Sequence, residues 1–226
     1  MDIVENITES IKYPLADWVK IVILTVISIV PIVNFMSTGY YLRIIKSTLA
    51  GVDEVPEFDN LGELFIDGIK VLIVGIVYMI IPMIIWLVAL LPVFLALLSG
   101  SQSSAIAGLS SILTIVLMLI AFIVTIIMSL LVLPAIVNMG LYDGSIGAAF
   151  RFSEVMEKIS TIGWGSYILW IIAIWITMMI LGLIIGIIGF ILLIIIIGPL
   201  LWILGGAYLT MFQARSVGLL FASSIE

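Results

Sequence analysis

The chain has 226 residues, 64% of them hydrophobic and only 10% charged, with a net charge of −6; a soluble domain is about 25% charged and could not bury so much apolar surface. The acidic balance argues against nucleic-acid binding, which needs a basic footprint. With no cysteine and no histidine, disulfides, thiolate and imidazole metal sites and every catalytic triad built on His or Cys are excluded.

The first residues carry Asp2, Glu5 and Glu9 where a cleavable signal would be basic, and no apolar core follows directly. Ile3, Ile7 and Ile11 recur every four residues with Val4 beside them. Residues 1–17 are therefore expected to be an amphipathic segment lying at a membrane interface and ended by Pro14, the alternative being a frayed tail. Residues 18–226 are read as a single transmembrane domain.

A helix needs about 20 apolar residues to span the hydrocarbon core. The first candidate crossing runs from Trp18 to about Leu49 and is interrupted by Pro31. The second runs from Leu61 to Leu98, with prolines at 82 and 92, and residues 99–108 form a small uncharged turn. The third covers Leu109 to Gly140. From Trp164 to Gln213 no charge occurs, and 50 helical residues would be roughly 75 Å long, so the chain is expected to fold back, at Gly186–Gly189 or alternatively at Gly198-Pro199. The count is about five crossings. Six of the eight Lys and Arg residues then fall on one side, which places the acidic loop 50–60, the 141–163 segment and the C-terminus in the cytoplasm. If the 18–49 segment re-enters at Pro31, all eight share that side.

The loop "GVDEVPEFDNLGELFIDGIK" (51–70) holds six of the fourteen acidic residues. Asn60 and Glu63 have capping-box spacing, so a helix is expected from Leu61. In the 141–163 segment Phe152, Val155, Met156 and Ile159 make an apolar stripe, with Arg151, Glu154 and Lys158 spaced for ion pairs on the wet side. A second interfacial helix is expected there. Crossing, amphipathic helix and crossing then occur twice, suggesting parallel repeats over 18–98 and 109–188, unlike the inverted repeats of many transporters.

"TGYYLRIIKSTLAGVDEVPEFDNLGELFIDGIK" (38–70) resembles the signature of an archaeal integral-membrane family of unknown function, domain of unknown function 4013. The layout of Pro134–Tyr142, Phe150–Lys158 and "GGAYLTMFQARSVG" (205–218) agrees, and is also similar to the membrane part of some glycerophosphodiester phosphodiesterases, where that part is accessory. The resemblance implies a fold and a cell membrane, with no catalytic residues to carry over.

Asp53, Glu54, Glu57, Asp59, Glu63 and Asp67 offer oxygen ligands, but their spacing is not that of a calcium loop; they are read as a solvent-facing structural connector, anchored to the membrane surface by Pro56 and Phe58. The cations Arg43, Lys46 and Lys70 are expected beside lipid headgroups. The crossings hold few polar groups (Thr25, Ser28, Asn34, Thr114, Thr125, Ser129, Asn138, Thr177), with Asn34 and Asn138 available to pair with each other or with local carbonyls. Ion-coupled transport normally needs ionisable groups there. Gly182, Gly186 and Gly189 fit close helix packing, a turn or a dimer face. Trp18 and Trp164 stand where interface anchors belong. The expectation is an all-α polytopic transmembrane bundle with interfacial helices, non-enzymatic, with no catalytic, metal or cofactor site. It would organise lipid or support a membrane partner complex or homo-oligomer. A passive channel or carrier for a neutral or apolar solute is the alternative, and a lipid-modifying enzyme using a metal on the acidic loop ranks last.

Overall fold

A computed structural model describes residues 2–99, 104–192 and 198–224. Among them the chain is helical, in the order α1 (Ile3–Lys12), α2 (Trp18–Ile29), α3 (Phe35–Leu49), α4 (Leu61–Ser99), α5 (Ser104–Leu141), α6 (Phe152–Ile162), α7 (Trp164–Leu192) and α8 (Gly198–Ala222), with short 3-10 turns at Tyr13–Ala16 and Ile146–Phe150. The helical expectation is met, because in lipid a backbone must satisfy its own polar groups and runs this apolar do so as helices. Two compact units emerge: Met1–Leu72 with Pro134–Glu226, and Ile73–Leu133.

Among the described residues three helices are able, by length and composition, to cross a membrane, within Leu61–Leu95, Ile112–Leu141 and Trp164–Leu192. Pro82 and Pro92 lie inside α4 and Pro134 inside α5; each removes a backbone donor, a loss membrane helices tolerate. The other two crossings expected from the sequence are not matched by such helices. Over 18–49 the chain turns back: α2 has 12 residues, about 18 Å, against a core of about 30 Å. The Ser28 and Ser37 hydroxyls meet at 2.8 Å across the bend. Pro31 sits in that bend, so α2 and α3 form a helical hairpin instead of one continuous helix. Asp17 starts α2, its carboxylate accepting from the backbone N–H of Val19 and Lys20 at 3.1 and 3.3 Å.

The fold-back expected at Gly186–Gly189 is also corrected. α7 continues through both glycines to Leu192, and α8 begins at Gly198 with Pro199 behind it; residues 193–197 lie outside those described, as do 100–103 of the expected 99–108 turn. Gly189 serves close approach instead, whereas Gly186 has open space where a Cβ would stand. A Cβ on Gly189 would stand 2.1 Å from Trp202 Nε1, and one on Gly205 would stand 2.5 Å from Ile185 Cγ2.

In the first unit α8 is the axis, touching α1, α2, α3 and α7. Its C-terminal half is enclosed: Met211, Phe212, Ala214, Ser216, Val217 and Phe221 are fully buried. Gly218 lets α3 approach, since a Cβ there would lie 2.6 Å from that of Thr48. The tightest crossing joins α3 to the start of α4. A Cβ on Gly39 would fall 1.8 Å from the Leu64 carbonyl oxygen, and one on Gly68 would fall 1.8 Å from that of Phe35. Backbones in such contact admit only glycine at both positions.

In the second unit α4 and α5 are tied by the Trp86 indole, which donates to Thr125 Oγ1 at 3.1 Å, while Thr125 donates to the Ala121 carbonyl. Thr25, Ser28, Ser129 and Thr177 likewise donate to carbonyls one turn back in their own helices. That is the local satisfaction a polar side chain needs in an apolar helix.

Candidate functional site

Residues 52–60 carry no regular secondary structure, so their carbonyls need donors from elsewhere. Side chains supply them. Arg215 Nη1 donates to the Val52 carbonyl (3.0 Å) and to Thr48 Oγ1 (3.2 Å), and Nη2 to Asp53 (2.5 Å). Lys20 Nζ donates to the Val55 carbonyl (2.6 Å) and Glu57 (2.9 Å). Arg43 Nη1 donates to the carbonyls of Glu57 and Asp59, both at 2.9 Å, and to the Asp59 carboxylate at 2.5 Å. The Tyr40 hydroxyl donates to the Pro56 carbonyl at 2.7 Å and the Tyr13 hydroxyl to that of Glu54 at 3.4 Å.

The acidic loop is thus a strap with its backbone turned inward. Three cations from α2, α3 and α8 hold it, and the carboxylates stand outward, with Asp53 88%, Glu57 78% and Asp59 68% exposed. Arg215 is the buried anchor at 4% exposure, lying over the Tyr13 ring at 4.9 Å. Burial pushes the Tyr13 phenol up to about 12, with Arg215 acting in the opposite direction, so Tyr13 stays a donor.

Several expectations change accordingly. Arg43 is engaged by the strap. Phe58 stacks on Tyr40 at 4.0 Å and 13°. Helix α4 begins at Leu61 as expected, but not through a capping box. Asn60 has φ +46°, a left-handed conformation that asparagine accepts more readily than most residues, and its carbonyl accepts from the Glu63 and Leu64 amides. Glu63 lies 3.7 Å from Arg43.

One turn further, Asp67 is 5% exposed between Lys46 (3.1 Å) and Lys70 (2.9 Å). Gly144, at φ +76°, brings the turn after α5 against this pair: a Cβ there would lie 3.0 Å from both Asp67 Oδ1 and Lys46 Nζ. Asp143 adds a longer ion pair to Lys46 at 3.7 Å.

A third junction fixes α6. Asn138, buried, donates to the Ala148 carbonyl at 2.8 Å and to Glu154 at 3.0 Å; it does not pair with Asn34, which is exposed in the α2–α3 bend. Arg151 reaches Glu154 at 3.2 Å and covers the Tyr142 ring at 4.4 Å. Hydrogen bonding by Asn138, then Arg151 and Tyr142, outweighs desolvation and holds the Glu154 carboxyl below its ordinary value. Of the stripe expected on α6, Val155 and Ile159 are fully buried, whereas Phe152 and Met156 are exposed. Lys158 forms no ion pair with Glu154 among the described residues; the paired cation is Arg151.

Helix α1 is neither a frayed tail nor packed chiefly by its isoleucines. Asn6 and Ser10 form the buried face, at 1% and 0% exposure. Asn6 donates to the Ser216 carbonyl at 3.0 Å and accepts from the Trp170 indole at 3.3 Å and from the Ser216 hydroxyl. The sequence reading missed this polar knot and also the role of Arg215. Their signal lay in the small residues flanking each: Ala214, Ser216 and Gly218 make room around a lone cation in an apolar run. Among the described residues no group of three or more acidic side chains has the arrangement to hold a metal ion.

These contacts give residues 38–70 and 205–218 one common role, since the strap, two of its three clamping cations (Arg43 and Arg215) and the Gly39–Gly68 crossing come from them, the third cation being Lys20. The chain shares 33% identity over 70 residues with an uncharacterized protein of Methanocaldococcus jannaschii, MJ1189. That stretch covers 29% of this chain and 25% of the relative. No solved structure matches the chain. A family model described as a protein of unknown function matches residues 23–190, from the α2–α3 hairpin to nearly the end of α7, and the chain belongs to that family, DUF4013.

Proposed function

We propose that the protein is a non-enzymatic, multi-pass component of the cell membrane that organises lipid or supports a partner complex. The carrying observation is the exposure of its spans. In the most apolar windows of α5 and α7 only 6% of residues are buried by the rest of the chain, and in α4 22%. Helices so little covered offer nearly their whole circumference to lipid or to other transmembrane helices, the reverse of a bundle closed around a site. The clamp residues support the same reading, because Lys20, Arg43 and Arg215 are committed to holding the strap.

Three cations from separate elements meet on one strap, which favours the arrangement with all eight on the cytoplasmic side, together with loop 50–60 and the C-terminus. The accessory membrane part of some glycerophosphodiester phosphodiesterases, similar in layout, accords with a supporting role. The test is affinity purification of the full chain from native membranes in polymer-bounded discs, with lipid analysis of the discs and of membranes from a deletion strain. A reproducible partner or an altered lipid distribution is expected. Neither, together with solute flux through liposomes carrying the purified protein, would replace this reading with that of a passive channel.

A further inference from the structure

Arg215 and Ser216 are neighbours on α8, yet they hold different segments of the chain. Arg215 grips the strap through the Val52 carbonyl at 3.0 Å and Asp53 at 2.5 Å. Ser216 grips α1: its carbonyl accepts from Asn6 at 3.0 Å, and its hydroxyl donates to the Asn6 side-chain oxygen. Tyr13, the residue that ends α1, closes the circle. Its ring lies over the Arg215 guanidinium at 4.9 Å, and its hydroxyl donates to the Glu54 carbonyl of the strap at 3.4 Å. Tyr13 and Arg215 are 5% and 4% exposed. Arg215 Nε is buried with no hydrogen-bond partner among the described residues. A donor so placed takes up water as soon as its cover is lifted.

We infer that α1 is a lid on the Arg215 clamp, so that freeing α1 from α8 loosens the first half of the strap. The reason is access of water. A charge-assisted hydrogen bond is strong where water is excluded and weak where both partners are solvated. With Tyr13 in place, Arg215 meets the strap from a dry position; without it, water competes for each of its donors. The coupling runs both ways, since whatever draws the strap off Arg215 also loosens Tyr13 and α1. It is local as well. From Val55 onward the strap is held by Lys20 and Arg43, through bonds in which α1 takes no part. The inference goes beyond the function proposed above and does not depend on it, because lid, clamp and strap all lie within one compact unit.

The test is amide hydrogen exchange, resolved to single residues, on the full chain in lipid nanodiscs. Val52 is the reporter, since its carbonyl accepts from Arg215 and its amide donates to the Ser47 carbonyl at 3.0 Å. Tyr13→Ala should lower the protection of Val52 about tenfold, the scale on which a charged hydrogen bond falls from its buried to its exposed strength. Tyr13→Phe keeps the covering ring and should leave Val52 close to the unsubstituted protein. Asn6→Ala, which touches nothing in the strap, should lower protection in α1 and at Val52 together. The Glu63 and Leu64 amides, bonded to the Asn60 carbonyl, should be unchanged in all three variants. Val52 protection unaffected by Tyr13→Ala would overturn the inference. So would Asn6→Ala that leaves α1 protected, or that frees α1 and spares Val52. Equal losses in Tyr13→Phe and Tyr13→Ala would assign the effect to the hydroxyl and not to the cover. A loss shared by Glu63 and Leu64 would mean general destabilisation and would also defeat it.

Discussion

Arg215 and Asp53 form one ion pair with unequal halves. The guanidinium is 5% exposed and the carboxylate 88%. Removing one partner of a buried charge pair typically costs about 3–5 kcal/mol, whereas a surface charge contributes about 1 kcal/mol or less. Arg215→Met should therefore lower the melting temperature in lipid strongly, because it also frees the Val52 carbonyl, and Asp53→Asn should hardly move it. Equal effects would mean that the strap is held by its carboxylates and not by its backbone. Asn60 gives a second contrast. Its φ of +46° makes Asn60→Ala unfavourable by about 1 kcal/mol, while Asn60→Gly should be neutral or nearly so. A failed side-chain cap would make the two alike. The sequence carried the acidic run, the start of α4 and Asn60 as a special position. It did not carry the direction in which the strap faces, because that depends on a cation 162 residues away from Asp53, on α8. Carboxylates in a loop read as water-facing whichever way their backbone carbonyls turn.

At the scale of the element, glycine was the hardest residue to interpret. Gly189 fits a turn by conformational freedom and a helix contact by size, and only the partner helix, with Trp202 against it, decides for contact, whereas Gly186 has open space where a Cβ would stand. Gly39 and Gly68 lie 29 positions apart in sequence, and nothing local says that their helices cross there. Gly39→Ala or Gly68→Ala should push α3 and α4 apart, at about 1–3 kcal/mol or more. Gly75→Ala, with open space around it, should be neutral or slightly stabilising. Thermal unfolding of the three variants in the same lipid checks the ranking. The helices themselves were legible from apolar run length, and α6 from its ion-pair spacing, although its buried stripe narrows to Val155 and Ile159. The α6 junction also predicts a pH dependence. Glu154 has a lowered carboxyl pKa in the fold, so its contribution is present above the ordinary value of 4.5 and is lost as pH falls through the lower folded value. Amide protection in α6, taken relative to the intrinsic exchange rate at each pH, should fall on acidification in that window, and Glu154→Gln should show the weaker protection already at neutral pH. A flat profile in the unsubstituted protein would dismiss the Asn138–Glu154 tie.

Across the molecule, charge and unit coincide. All eight Lys and Arg residues fall within Met1–Leu72 and Pro134–Glu226, while Ile73–Leu133 contains no charged side chain at all. The positive-inside tendency counts cations near span ends, and in a continuous crossing over 18–49 it would have to tolerate Lys12 and Lys20 on the opposite side from Arg43. On the proposed topology a hairpin over 18–49 removes that conflict. Lys20 and Arg43 grip neighbouring parts of one strap, at Glu57 from either side, so the two arms of the hairpin open toward the same end. The absence of native cysteine makes this directly measurable with single-cysteine variants at Glu9, Asp53 and Ser153, each exposed. In inverted and right-side-out membrane vesicles, a membrane-impermeant thiol reagent should label all three from one side, the cytoplasmic one. A cysteine at Ile32, at the tip of the bend, should react with neither orientation, since 18 Å of α2 leaves it short of the opposite surface. If Glu9 labels from the side opposite Asp53, the 18–49 segment crosses in full, the shared strap of Lys20 and Arg43 does not exist in the membrane, and the grouping of all eight cations on one face falls with it.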